Sequence, residues 1–168
     1  MTPDERRQQI ALYGDAYRLL TAALDGFPRA MWQFRPAPDR WTIHEIIVHI
    51  ADSEATSYIR CRKFIAEPGS TVLGYDEMGW ATALHYHDQS TDDALALFQQ
   101  LRHHTYTLIQ TLDPAVWAQG GHHTETGPMT LDDWLAVYAS HIPDHVVQMQ
   151  AVYADWLARP APQAAGNA

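Results

Sequence analysis

The chain has 168 residues, 46% hydrophobic and 18% charged, which fits one soluble globular domain with a core of its own. Eleven basic residues stand against twenty acidic ones, a formal charge of −9, and no basic stripe or basic-aromatic alternation runs through the sequence. That balance gives a nucleic-acid role little electrostatic support, and the lack of an 18-residue apolar run excludes a membrane-spanning helix. Cys61 is the single cysteine, so no internal disulfide can form. The opening "MTPDERRQQI" leads into no apolar signal core, and a cytoplasmic location is expected.

Four segments open with helix-start signals. Thr2 precedes Pro3 and Glu5, Thr42 precedes Glu45, Ser90 precedes Asp93, and Thr130 precedes Asp133. A hydroxyl three residues before a carboxylate can satisfy the unpaired amides of a first helical turn, and the acid suits the helix dipole. Each signal is followed by apolar residues at helical spacing: Ile10, Tyr13, Tyr17, Leu20 and Leu24 in the first segment, Ala94, Phe98, Leu101, Thr105, Leu108 and Leu112 in the third. Long helices are expected near 4–25, 42–66, 90–112 and 130–158, giving an all-α four-helix bundle over 1–158 with a flexible tail at 159–168. The connections are rich in Gly and Pro, and only the stretch near 120–128 reads as extended. The connection at 67–89 is too long for a simple link and holds Tyr75, Trp80 and Tyr86, so it is expected to fold as a lid over the bundle.

Ten histidines against one lysine is an unusual bias. His141 and His145 are one helical turn apart, with Pro143 between them, in "YASHIPDHVVQM". The apolar stripe continues through Met149 and Tyr153, so Pro143 is expected to bend the helix rather than end it. At about 100° per residue, His145 falls within the stripe of the fourth helix and His141 at its edge, while His49 lies at the edge of the stripe of the second helix. Three neutral imidazoles from two facing helices suit a borderline divalent metal and leave positions open for water or substrate. The competing reading is a set of half-buried histidines with backbone or water partners. The other histidines, His122 and His123 among them, are read as loop or surface residues, and Cys61 as a small core residue.

The same stretches carry a family resemblance. "WTIHEIIVHIADSEATSYIR", "YDEMGWA" and "LDDWLAVYASHIPDHVVQM" resemble the second-helix, loop and last-helix motifs of the DinB/YfiT-like family, in order and spacing over about residues 10–157. The resemblance implies a four-helix bundle holding one divalent metal, zinc or nickel, on His49, His141 and His145. It implies one of two activities, thiol S-transfer to electrophilic small molecules with a low-molecular-weight thiol such as bacillithiol or mycothiol, or metal-dependent hydrolysis, and it implies a homodimer. Close YfiT-like members carry extra histidine and basic residues where this chain has Ile142, Pro143 and Asp144.

The expected function is therefore a metal-dependent enzyme with a small-molecule substrate, a thiol transferase first and a hydrolase as the alternative. A non-catalytic metal-binding protein and a metal-free bundle with an apolar ligand remain open. Asp52, one turn from His49, is a candidate acceptor for the N–H of a ligand histidine. Glu54 lies nearer the apolar stripe and is expected in a buried polar role. Tyr75, Trp80 and Trp134 are expected to line the pocket.

Overall fold

The computed structural model describes residues 1–159. The rest of the expected tail, residues 160–168, lies outside the described residues. Four long helices, α1 (Pro3–Leu24), α2 (Ile43–Ala66), α4 (Thr91–Ile109) and α5 (Leu131–Leu157), form the bundle. The short helix α3 (Glu77–Ala83) lies in the connection between α2 and α4. α1 packs on α5 and α4, and α2 packs on α4 and α5.

The helices start where the sequence places their caps. Thr2, Thr42 and Thr130 each form a full reciprocal box with the acid three residues on, and Ser90 accepts from the backbone N–H of Asp93. A cap of this kind contributes about 1 kcal/mol. α4 ends three residues before the expected 112, because Leu112 runs into Asp113, whose extended backbone caps the 3-10 turn that begins at Pro114. α5 runs unbroken through Pro143, as the continuing stripe requires.

A small sheet joins the two long connections, and it goes beyond the single extended piece expected. Strands β2 (Gly120–His123) and β3 (Gly127–Thr130) form an antiparallel hairpin, and β1 (Thr71–Val72) pairs parallel to β2. Glycine is needed here for close approach. A Cβ on Gly120 would lie 2.0 Å from the Met129 carbonyl oxygen, and one on Gly121 would lie 2.1 Å from that of Ser70.

The core falls into two apolar clusters. One holds Met31, Trp41, Ile43, Ile46, Ile50, Phe98, Ile142 and Met149; the other holds Tyr13, Cys61, Phe64, Leu131, Trp134 and Leu135. Along α2 the buried positions between them, Ser53, Glu54 and Ser57, are all polar. This polar layer is internally paired. The Glu54 carboxylate accepts from the Tyr13 hydroxyl at 2.6 Å and from the Arg102 guanidinium at 2.6 Å, and Arg102 also donates to the Tyr138 carbonyl oxygen at 3.0 Å. One carboxylate thus ties α1, α2, α4 and α5 together. Among the described residues, no helix is long and apolar enough to cross a membrane.

Candidate metal centre

The helical wheel places His49, His141 and His145 at the margin of the core, and the fold brings them together at the edge of the polar layer. A ligand atom from each lies within 4.8 Å of the other two. The Nε2 atoms of His141 and His145 are 3.0 Å apart. Ligand nitrogens roughly 2.0–2.1 Å from a zinc ion sit about 2.9–3.4 Å from one another, over the range from right-angled to tetrahedral geometry. The His141–His145 pair already has that spacing.

The protonation state favours a cation. His145 Nδ1 lies 2.8 Å from Gln148 Oε1, an atom that only accepts, so its proton is on Nδ1 and Nε2 presents a lone pair. Burial lowers all three histidine pKa values. That of His49 falls to about 3, through burial first and then the neighbouring His145. That of His141 lies well below its ordinary value, again through burial and then His145 and His49. That of His145 is lowered by burial. The rings are therefore neutral near pH 7, the form that binds metal. His49 Nδ1 is buried and has no hydrogen-bond partner among the described residues. An orphaned buried nitrogen, two Nε2 atoms at the spacing of shared ligands and an all-imidazole donor set fit a zinc- or nickel-like ion.

The surroundings divide the expected neighbours. Tyr75 lines a cavity of about 210 Å³ together with Ser53, Tyr138 and His141, so the lid does reach the site. Arg60, Glu77 and His123 lie on the same cavity. Trp80 packs on Tyr75 with ring centroids 4.4 Å apart, but it lines a separate, more apolar groove with Ile59 and Leu73.

Two further expectations need correction. Asp52 does not orient a ligand histidine. Its carboxylate accepts from the Tyr86 hydroxyl at 2.6 Å, which fastens the lid to α2. Trp134 does not line the pocket; it is fully buried between Tyr13 and Tyr138 and donates to Ser57 Oγ at 3.2 Å. Glu54 is buried as expected, but it faces Tyr13 and Arg102 rather than the histidines. Trp41 packs against His49, with ring centroids 4.6 Å apart and the planes tilted by 46°. The sequence shows Trp41 only as part of a helix-start signal. Cys61 is fully buried and its thiol pKa is pushed up to about 12, mainly by burial, so it is a core residue and no nucleophile.

A helical bundle carrying three converging histidines, from α2 and a single turn of α5, defines a class of helical protein with a candidate metal centre. Within that class the chain belongs to the DinB superfamily, whose family model matches residues 12–149. It is 29% identical over 110 residues to the "Putative metal-dependent hydrolase YfiT" of Bacillus subtilis, covering 65% of this chain and 62% of that protein. It is 28% identical over 112 residues to the "Putative metal-dependent hydrolase OB0782" of Oceanobacillus iheyensis, covering 67% of this chain and 64% of that protein. The chain thus spans a little under two thirds of the length of these relatives. The solved structure of Bacillus subtilis YfiT, described as a probable metal-dependent hydrolase with an unusual four-helix bundle topology, superimposes with a TM-score of 0.85. That superposition covers 93% of this chain and 90% of the other at 22% identity, and it shows the shared fold.

Proposed function

We propose that this chain is a divalent-metal-dependent enzyme that uses His49, His141 and His145 as metal ligands and acts on a small molecule held in the cavity lined by His141 and Tyr75. The observation that carries the reading is the convergence of three neutral imidazoles within 4.8 Å, one of them facing that cavity. The relatives' names, metal-dependent hydrolases, support hydrolysis as the reaction.

A zinc- or nickel-like ion held by His49, His141 and His145 would supply a Lewis acid that lowers the pKa of a nucleophile, either water or a thiol. The protein residues supply the rest. Gln148 holds the His145 ring in one orientation. Trp41 covers His49, which leaves the His141 side as the approach for substrate. Arg60 donates to the Tyr138 hydroxyl at 2.7 Å and to the Leu73 carbonyl oxygen, so it joins the cavity wall on α5 to the strand end that carries the lid. The cluster contains no Cys, Asp or Glu among the described residues. Three protein ligands with an open position favour a catalytic centre over a structural one.

The thiol-transfer alternative uses the same open position, so one assay separates the two. Untagged protein is stripped with chelator, reloaded with zinc or nickel, and given p-nitrophenyl esters and anilides with and without a low-molecular-weight thiol, and monochlorobimane with the same thiol. Metal-dependent release of nitrophenol or nitroaniline without thiol is the expected result. Turnover only with bimane and thiol would transfer the assignment to a thiol transferase. Equal rates with and without metal would overturn both.

A further inference from the structure

The two adjacent histidines of β2 differ in environment. His122 is exposed, whereas His123 is only 5% exposed and lines the same cavity as His141. The hairpin turn fixes the His123 ring. Its Nδ1 accepts the backbone N–H of Glu125 at 3.3 Å and that of Thr126 at 3.4 Å. A nitrogen that accepts two amides has no room for a proton, so the ring proton is on Nε2. Nε2 makes no hydrogen bond among the described residues, and the ring lines the cavity. Adding a proton to Nδ1 would turn two attractive contacts into repulsive ones. Burial first, and then the Arg60 charge, also lower the His123 pKa, which keeps the ring neutral.

We propose that His123 is a substrate-binding residue, a neutral Nε2–H donor held rigidly by the hairpin to hydrogen-bond the carbonyl oxygen of a small ester or amide bound beside His141. The role in turnover rests on the hydrolytic reading above; the donor itself does not. A neutral imidazole with a fixed tautomer is suited to polarising a carbonyl, because its N–H is present and aimed before charge develops on the oxygen. Tyr75 lines the same cavity, but its hydroxyl is sealed from solvent, so His123 is the donor on that wall. Glu77, Glu125 and Arg60 lie on the same cavity, so its charged lining carries both signs. At about 210 Å³ the cavity fits a small acyl group rather than a long chain. The substrate class is therefore an ester or amide with a short acyl part.

The test has two arms. In the first, nitrogen-detected imidazole spectra of metal-free wild-type protein read the His123 tautomer, and acetamide serves as the carbonyl probe. A neutral ring protonated on Nε2, with a saturable shift of that resonance on adding acetamide, is expected. A proton on Nδ1, an imidazolium at neutral pH, or no acetamide shift overturns the proposal. In the second, His123→Phe and His123→Gln are compared as metal-loaded proteins, with helical content and metal content checked for each. His123→Phe is expected to lower kcat for p-nitrophenyl acetate about 10²–10³-fold, the usual cost of losing one such donor, with KM little changed. His123→Gln places an amide N–H near the Nε2 position and is expected to recover most of the loss, with metal content unchanged in both. An unchanged kcat in His123→Phe, or no recovery in a folded His123→Gln, overturns the role in turnover. If the wild-type protein hydrolyses no ester or amide, the proposed function falls and the first arm alone decides His123.

Discussion

Arg102→Met probes the polar layer beneath the site. Arg102 is 2% exposed, and its partner Glu54 is 0% exposed at the side chain. The substitution keeps an unbranched chain of similar length but removes the bond to Glu54, the bond to the Tyr138 carbonyl oxygen and the stacking of the guanidinium 3.9 Å from the Tyr13 ring centroid. Glu54 keeps only the Tyr13 hydroxyl and becomes a buried carboxylate without a countercharge. Breaking a buried pair in this way costs about 3–5 kcal/mol. At about 2–4 °C per kcal/mol for a domain of this size, the melting temperature should fall by about 6–20 °C. The double change Glu54→Leu with Arg102→Met removes the stranded charge and should recover much of the loss, because apolar replacement of a whole buried pair is often neutral. Urea unfolding of the four proteins of this cycle gives each value. A single-variant loss below about 1 kcal/mol would refute the reasoning, as would a double variant less stable than the sum of the two single changes.

Two further outcomes follow from the site and the core. Gln148→Leu removes the acceptor that orients His145 Nδ1, and metal affinity should fall about 10–100-fold in a chelator competition with no change in fold. Cys61, buried and with its pKa pushed up to about 12, should resist iodoacetamide at pH 8 in the folded protein and react fully in urea; fast labelling of the folded protein would contradict its place in the core.

The sequence was most legible where one local rule sufficed. The four helix starts depend on a hydroxyl and an acid three residues apart, and all four form with the expected cap residues. The three histidines could be read because His49 and His141 stand at the edge of an apolar stripe and His145 within one, on helices that face each other. Features that depend on a distant partner were not legible. In α4 Ala94, Phe98 and Thr105 of the expected stripe are buried, but Arg102 and Ile109 are buried in place of Leu101 and Leu108, since Glu54 on another helix makes burial of Arg102 tolerable. The sheet was nearly invisible because β1 is two residues long and β2 reads Gly-Gly-His-His, with no alternating pattern. Asp52 has the right spacing to serve His49, and only the fold reveals that Tyr86 takes its carboxylate. His123 reads as a loop histidine until the turn amides that orient its ring are in place.

The central claim is that His49, His141 and His145 hold one metal ion. The most direct measurement is X-ray absorption at the metal edge, with elemental analysis, on untagged protein reloaded with zinc, alongside the His49→Ala, His141→Ala and His145→Ala variants. Three imidazole nitrogens at roughly 2.0–2.1 Å with a remaining oxygen from solvent are predicted, at one ion per chain, and each variant should lose most of its metal. Full occupancy in His49→Ala, or a shell of four protein ligands, would contradict the account.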